Sequence, residues 1–195
     1  MNRIYDAINN PRICAILLLV ESPGGMVANI DLAANLVKNC PKPLYSYVSL
    51  MSASSAMWFV SGSKKIIASS PMDAFGSIGT KAKLFNIDGI LKKFGADIRD
   101  IYATKSTHKD FAIRELLDNN NEDPIRKDLD FINEIFHKTI QENMGISKSS
   151  DVFTADLYYA EEAINKKLCH EILSIEETID SLHKEGLKHV IKSYV

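Results

Sequence analysis

The sequence predicts an α/β fold with a mostly parallel sheet. Three observations support this class: short apolar runs of strand length, amphipathic stretches between them, and turn residues at most junctions. Over residues 13–68 these segments alternate as strand, helix, strand, helix, strand, an order that indicates right-handed parallel crossovers. The chain has 195 residues, 46% of them hydrophobic. We therefore expect a single domain over residues 1–195, with a helical C-terminal segment at about 175–195.

The first half of the chain contains three predicted strands and two helices. The strands are Ile13 to Glu21, Leu44 to Ser49 and Ile66 to Ala68. The first of them is a nearly continuous apolar run, which is typical of a parallel strand buried on both faces. The helices are Ala28 to Asn39, which ends before two prolines, and a segment that starts from the turn Ser52 to Ser55 and reaches about Ser61.

The second half is predicted to be mainly helical. A helix from Ile87 to Phe94 should end at Gly95, and Ile98 to Ala103 should form a strand that leads to Lys109. A long amphipathic helix is expected from Pro124 to Met144, because apolar residues recur there every three or four positions. Two further helices are predicted, from about Leu157 to Lys167 and from Glu176 to near Ser193.

Composition excludes several functions. Lysine and arginine number 23 against 25 acidic residues, so the net charge of -2 gives little support to nucleic acid binding. The longest apolar run, Ala15 to Val20, is far shorter than the roughly 20 residues of a membrane span. No signal peptide pattern is present, so a soluble chain is expected. Three cysteines without metal-ligand spacing are most simply reduced thiols, and we expect no metal or cofactor.

Two segments resemble half of a serine hydrolase site. The first strand ends in Glu21-Ser22-Pro23-Gly24-Gly25, and a serine cluster follows at residues 52–55. A glycine pair can direct backbone N–H groups at an oxyanion, and a serine that opens a helix can present its hydroxyl beside them. The base is less clear from these residues alone: His108 and His170 are candidates, and so is Lys109 if burial lowers its pKa.

Four motifs, in the same order, resemble the S49 peptidase family of the signal peptide peptidase A type. They are Glu21 to Gly25, Ser55 at the start of its helix, Gly76 to Gly79, and Lys109 within Thr107-His108-Lys109-Asp110. The resemblance runs from about Asn2 to Ile172. It implies a ClpP/crotonase-like fold, a repeated β-β-α spiral with a mostly parallel sheet and flanking helices. It also implies a Ser/Lys dyad.

The resemblance assigns roles to individual positions. It makes Ser55 the nucleophile, with Ser52 and Ser54 as nearby serines of other function, and Lys109 the general base, with Lys105 as its competitor. Ser77 would orient the lysine. The backbone N–H groups of Gly25 and Ala56 would form the oxyanion hole.

Some positions differ from the signal peptide peptidase pattern. Ala56-Met57 followed by Trp58-Phe59 looks more like the phage prohead-protease branch of the family. The chain also begins in the helix before the first motif, so the opening strand of the family is expected to be missing or supplied by a partner. We expect a cytoplasmic or prohead-associated protein, membrane-associated only if an N-terminal anchor has been lost. Its expected partners are a peptide or protein substrate and further copies of the chain.

The sequence therefore favours a serine endopeptidase that cleaves signal-peptide remnants or phage capsid or scaffold proteins. Three alternatives remain at this point. A crotonase-type acyl-CoA enzyme would share the fold without needing Ser55 or Lys109. A Clp-type protease would need a histidine about 25 residues after the serine, where Thr80 lies instead. A non-catalytic scaffold or shell subunit would keep the fold and use its helices for assembly.

Overall fold

The computed structural model describes residues 2–193. The helices of this range are α1 Asn2–Asn9, α2 Ile30–Lys38, α3 Ser55–Val60, α4 Ile87–Lys93, α5 Phe111–Asn119, α6 Asp123–Met144, α7 Ala160–Asn165 and α8 Ile175–Ser193. The strands are β1 Ile16–Ser22, β2 Leu44–Ala53, β3 Lys65–Ala68, β4 Ala74–Gly76, β5 Leu157–Tyr159 and β6 Glu171–Ile172. A short 3-10 helix covers Asp151–Thr154.

The strands form one six-stranded sheet around β2. Strand β1 pairs with one edge of β2, while β3 and then β4 pair with its other edge. All pairings are parallel except that of β4 with β5. The predicted α/β class with a mostly parallel sheet is confirmed, and the antiparallel strand β5 is an addition to it.

Strand β2 bends halfway along its length. Val20 of β1 is opposite Val48, but Ser22 is opposite Ser52, so β2 contains two more residues than β1 over this stretch. Leu50 lies in the irregular stretch with a φ of 71°. Before the bend β2 pairs with β3, and after it β2 pairs with β4. Because of this bend, the last part of β2 lies next to β4 instead of β3.

Helices cover both faces of the sheet. Because successive strand residues point to opposite faces, Leu44 and Tyr45 belong to two separate core clusters. Leu44 packs with Ile16 and with Val37 of α2, whereas Tyr45 packs with Ile67 and with Leu182 of α8. These helices thus pack their apolar faces against the sheet, as their amphipathic patterns in the sequence predicted.

Most of the predicted elements are confirmed, with boundaries shifted by a few residues. The strand predicted at Ile98 to Ala103 is wrong: this stretch is irregular, and Ile101 is 90% exposed. Aspartate and arginine side chains interrupt its apolar residues, so no face of it could be buried in a sheet. The helix predicted from Leu157 starts at Ala160, because residues 157–159 pair with β4 instead.

The described chain divides into two compact units. The first combines the residues up to Gly79 with those from Ile135 onward, and contains the whole sheet. The second runs from Thr80 to Glu134 and contains α4, α5 and the first part of α6. The expectation of a single domain stays a prediction. Within residues 2–193, no helix has both the length and the apolar character of a membrane span.

Candidate active site

The glycine pair after β1 lies against the start of α3. Gly24 has a φ of +95°, and a Cβ atom on it would lie 2.7 Å from the Ala53 carbonyl oxygen and 2.7 Å from the Ser54 Cβ. Only glycine fits here without displacing the backbone. A Cβ on Gly25, by contrast, would meet no described atom within 4 Å. Gly24 therefore fixes the loop against the serine turn, and Gly25 faces open space.

The serine turn is strained and held from a neighbouring strand. Ser54 has φ 54° and ψ -127°, an unfavourable conformation for a residue with a side chain. Its backbone N–H donates to the Gly76 carbonyl oxygen over 2.8 Å. Ser54 occupies the N-cap position of α3, but its side chain makes no capping hydrogen bond within the described chain. The turn thus delivers Ser55 as the first residue of the helix.

Three of the predicted site residues line one groove of about 500 Å³: Gly25, Ser55 and Ala56. Ser55 is 5% exposed, so its hydroxyl lies in a largely desolvated position. Apolar residues form much of the remaining lining, namely Leu19, Val20, Met26, Ala28, Ile30 and Phe59. Ser52, the first of the three serines of the cluster, is fully buried inside β2. The groove thus combines the start of α3, where Ser55 lies, with the backbone of the glycine pair.

Ser77 lies beside this turn at the end of β4. Gly76 is the register partner of Ala53, and Ser77 follows with a φ of 51°. The Ser77 backbone N–H donates to the Asp156 carbonyl oxygen over 2.7 Å. A Cβ on Gly76 would collide with the same carbonyl oxygen, which explains the glycine at this position. Ser77 itself is half-buried.

His137 of α6 also supports this part of the structure. Its Nε2 atom lies 3.3 Å from the Ile78 carbonyl oxygen, and its ring packs 4.6 Å from that of Phe153. Burial lowers the pKa of His137 below its ordinary value. A neutral imidazole can still donate one N–H to the carbonyl oxygen, so His137 helps to hold the segment that carries Ser77.

Lys109 belongs to the second unit, as does its competitor Lys105. Both lysine side chains are exposed. Lys109 lies in a turn before α5, in which its backbone N–H donates to the Ser106 carbonyl oxygen over 3.1 Å. The strand predicted at Ile98 to Ala103, which was expected to lead to Lys109, is absent, so the assignment of Lys109 rests on the family resemblance alone. The Ser55/Lys109 dyad stays a prediction.

The histidine candidates for the base have other surroundings. His108 is exposed in the second unit, where its ring packs 5.5 Å from that of Phe111. The Nδ1 atom of His170 accepts a hydrogen bond from the Ile66 backbone N–H over 3.0 Å. Ile66 belongs to β3, which pairs with the part of β2 before the bend, whereas the serine turn follows the bend. His170 is therefore occupied in the sheet.

A comparison with known protein families assigns this chain to one of them. The sequence model described as "Peptidase family S49" matches residues 37–190. The chain belongs to peptidase family S49. The match covers the serine turn, the Gly-Ser-Ile-Gly segment and the lysine region, and so includes three of the four motifs that carried the resemblance.

Two curated relatives are similar to this chain over most of its length. The probable protease SohB of Haemophilus influenzae is 24% identical over 173 residues, which cover 87% of this chain and 48% of that protein. The capsid assembly protease C of Escherichia phage lambda is 25% identical over 181 residues, or 91% of this chain and 40% of that protein. This chain therefore spans about half the length of the curated relatives that it matches.

Solved structures support the fold. A mutant of the membrane-bound stomatin-specific protease 1510-N, in complex with a substrate peptide, has a TM-score of 0.55 at 14% identity, covering 92% of this chain and 71% of that one. An enoyl-CoA hydratase from Shewanella pealeana has a TM-score of 0.54 at 13% identity, covering 99% and 67%. The predicted ClpP/crotonase-like fold is confirmed. Peptidase and hydratase match equally well, so fold alone does not distinguish their activities.

Proposed function

We propose that this S49 family member is a serine endopeptidase with Ser55 as nucleophile and Lys109 as general base. The observation that carries the proposal is the common groove of Ser55, Ala56 and Gly25 in a chain of this family. A desolvated hydroxyl beside two backbone N–H groups is the arrangement that acyl transfer requires. Lys109 and Ser77 come from motif matching, and Ser77 would orient the lysine.

The reaction is hydrolysis of a peptide bond through an acyl-enzyme. Neutral Lys109 takes the Ser55 hydroxyl proton as the serine oxygen attacks the peptide carbonyl carbon. The N–H groups of Gly25 and Ala56 stabilise the tetrahedral oxyanion, and the lysine ammonium then protonates the leaving amine. In the second half, the lysine deprotonates a water molecule that attacks the ester and releases Ser55. No metal or cofactor takes part.

The groove favours peptides with apolar side chains near the scissile bond. Apolar residues line most of it, and burying a substrate side chain against them is favourable in proportion to the area removed from water. Signal-peptide remnants would fit the bacterial peptidases of the family, and capsid or scaffold proteins would fit the phage branch, which the lambda relative represents. The place of action would be the cytoplasm or the prohead accordingly.

We further propose that the chain works as a homo-oligomer. The second unit exposes an unusual number of large apolar side chains for its size. They include Phe85, Ile87, Ile90, Phe94, Ile101 and Phe131, each more than half exposed. Apolar surface of this extent is typical of a protein interface. Analytical ultracentrifugation over a range of concentrations tests this proposal, and a monomer at every concentration would contradict it.

The test of the peptidase proposal uses the purified chain and two readouts. Cleavage of fluorescent casein reports turnover. Labelling by a fluorophosphonate, which phosphonylates an activated serine with loss of fluoride, reports the nucleophile alone. Ser55→Ala should abolish both signals, and Lys109→Ala should reduce both strongly. Ser54→Ala and Lys105→Ala are the matched controls, since each removes a neighbouring side chain of the same type.

The outcomes separate the alternatives. Equal cleavage by the wild type, Ser55→Ala and Lys109→Ala would contradict the dyad, and a loss confined to Lys105→Ala would reassign the base. A well-formed oligomer that neither cleaves casein nor labels would favour the scaffold alternative. Hydration of an enoyl-CoA by the wild type and equally by Ser55→Ala would favour the crotonase alternative, for which the structural likeness supports the fold only.

A further inference from the structure

The bend in β2 contains a strained residue that its own side chain does not hold in place. Leu50 has a φ of 71°, a left-handed conformation that is uncommon for a bulky residue without a local constraint. Its side chain is 58% exposed and so contributes little packing. Some other group must therefore stabilise this backbone conformation.

That group is the carboxylate of Asp73, which is only 4% exposed. Its Oδ1 accepts a hydrogen bond from the Leu50 backbone N–H over 2.8 Å. Its Oδ2 accepts three more, from the Ser69 N–H at 2.7 Å, the Ser70 N–H at 2.8 Å and the Ser69 hydroxyl at 2.9 Å. One carboxylate thus joins the bend of β2 to the turn between β3 and β4. Such a buried charge is stable only because these donors satisfy it.

Both strands joined in this way lead directly to the serine turn. The part of β2 after Leu50 pairs with β4, which begins at the residue after Asp73. At the end of that pairing, the Gly76 carbonyl oxygen accepts the Ser54 N–H. Moving the bend relative to β4 would therefore move the strained turn that presents Ser55.

We infer that Asp73 is a positioning residue of the peptidase site: its carboxylate holds the bend in β2 that leads into the strained turn at Ser54 and so delivers Ser55 to the groove. The inference rests on the proposed function. Asp73 acts through the backbone and contacts neither substrate nor the reacting atoms. Its effect should appear in the rate at which Ser55 reacts, because small displacements of a nucleophile reduce rates strongly.

The experiment measures the kinetics of fluorophosphonate labelling, which yield a maximal rate kinact and a concentration KI for half-maximal labelling. The variant Asp73→Asn keeps the shape of the side chain but cannot accept all four hydrogen bonds. We expect kinact to fall roughly 10- to 100-fold with KI little changed. Asp180→Asn, which alters an exposed carboxylate on α8, is the control and should label like the wild type.

A rescue variant separates positioning from general stability. Leu50→Gly adopts positive φ without strain and removes only an exposed side chain. In the Asp73→Asn background, Leu50→Gly should therefore recover part of the lost kinact. Ser69→Ala removes one donor and keeps the carboxylate, so it should give a smaller loss. It replaces Asp73→Asn as the test variant if the latter does not fold.

Labelling of Asp73→Asn at the wild-type rate, or a loss that Leu50→Gly leaves unchanged, would overturn the inference. A wild type that is not labelled at all would instead contradict the proposed function. In that case hydrogen exchange still tests the role of Asp73. Faster exchange of the Leu50 and Ser54 amides in Asp73→Asn, beyond any change in α8, would support it. A uniform change throughout the chain would overturn it.

Discussion

Gly24 and Gly25 are adjacent in the sequence but have different surroundings. A Cβ at position 24 would lie 2.7 Å from backbone and side-chain atoms of the serine turn, whereas one at position 25 would project into open space. We predict that Gly24→Ala lowers the free energy of unfolding by about 1–3 kcal/mol, since the methyl group forces the backbone apart. Urea unfolding at constant pH measures this effect.

Gly25→Ala provides the opposite prediction at the neighbouring position. Its methyl group enters the groove that Ser55 lines, so we expect wild-type stability together with slower fluorophosphonate labelling. The pair of variants thus separates the glycine that fixes the loop from the glycine that lines the groove. Equal loss of stability in both variants would show that the loop is held in another way.

Some residues of the candidate site were predictable from sequence patterns, and others were not. The motifs predicted that Gly25, Ser55 and Ala56 belong together, and the structure places all three in one groove. The role of Asp73 was not predictable, because its contact with Leu50 joins residues that no local pattern connects. His137 was missed for the same reason: its partner, Ile78, is distant in the sequence.

At the scale of elements, α3 and α6 are joined by one aromatic contact. The rings of Trp58 and Phe136 are stacked with their centroids 4.5 Å apart and an interplanar angle of 7°. Phe136 is 1% exposed. We predict that Phe136→Ala lowers the free energy of unfolding by about 3–5 kcal/mol, because it leaves a cavity beneath the helix that carries Ser55.

Phe131 of the same helix is the matched control for this prediction. It is 65% exposed, so Phe131→Ala makes the same chemical change without opening a buried cavity. We expect its stability, measured at a protein concentration at which the chain is monomeric, to remain within about 0.5 kcal/mol of the wild type. Chemical denaturation followed by circular dichroism measures both variants. A similar loss in the two would show that the burial of Phe136 does not determine the effect, since alanine has a higher helix propensity than phenylalanine at both positions.

The elements that the sequence predicted are those with a strong periodic or apolar signal. The run at Ile13 to Glu21 and the stripe of α6 are long enough to indicate strand and helix without knowledge of their neighbours. Strands β4, β5 and β6 have only three, three and two residues. Their conformation depends on hydrogen bonds to distant partners, which a sequence window does not contain.

At the scale of the whole molecule, two histidines link stability to pH. Burial lowers the pKa of His137 and of His170, and each ring is neutral where it meets its backbone partner. Unfolding therefore takes up protons below the unfolded pKa of about 6.5. Stability is fully present above that pH and is lost as the pH falls through the lowered folded pKa. We expect a lower urea midpoint at about pH 5.5 than at about pH 7.5.

Substitutions of the two histidines test whether they cause the pH dependence of stability. In His137→Gln the amide nitrogen replaces the Nε2 donor to the Ile78 carbonyl, and in His170→Asn the amide oxygen replaces the Nδ1 acceptor. Each variant should reduce the difference between the urea midpoints at the two pH values, and the double variant should reduce it further. His183→Gln, at an exposed position on α8, is the control. An unchanged difference in the double variant would assign the dependence to other groups.

The hydrogen bond from the Ser77 N–H to the Asp156 carbonyl oxygen has a consequence for biosynthesis. Strand β4 pairs with β2, which precedes it in the chain, but its second partner β5 and the Asp156 acceptor of the following turn come from a much later part of the chain. A ribosome that has translated both serine and lysine motifs has still not made the segment that holds the Gly-Ser-Ile-Gly turn. We therefore expect nascent chains that end before Asp156 to remain unreactive towards fluorophosphonates, a delay that would protect the translation apparatus from an immature peptidase.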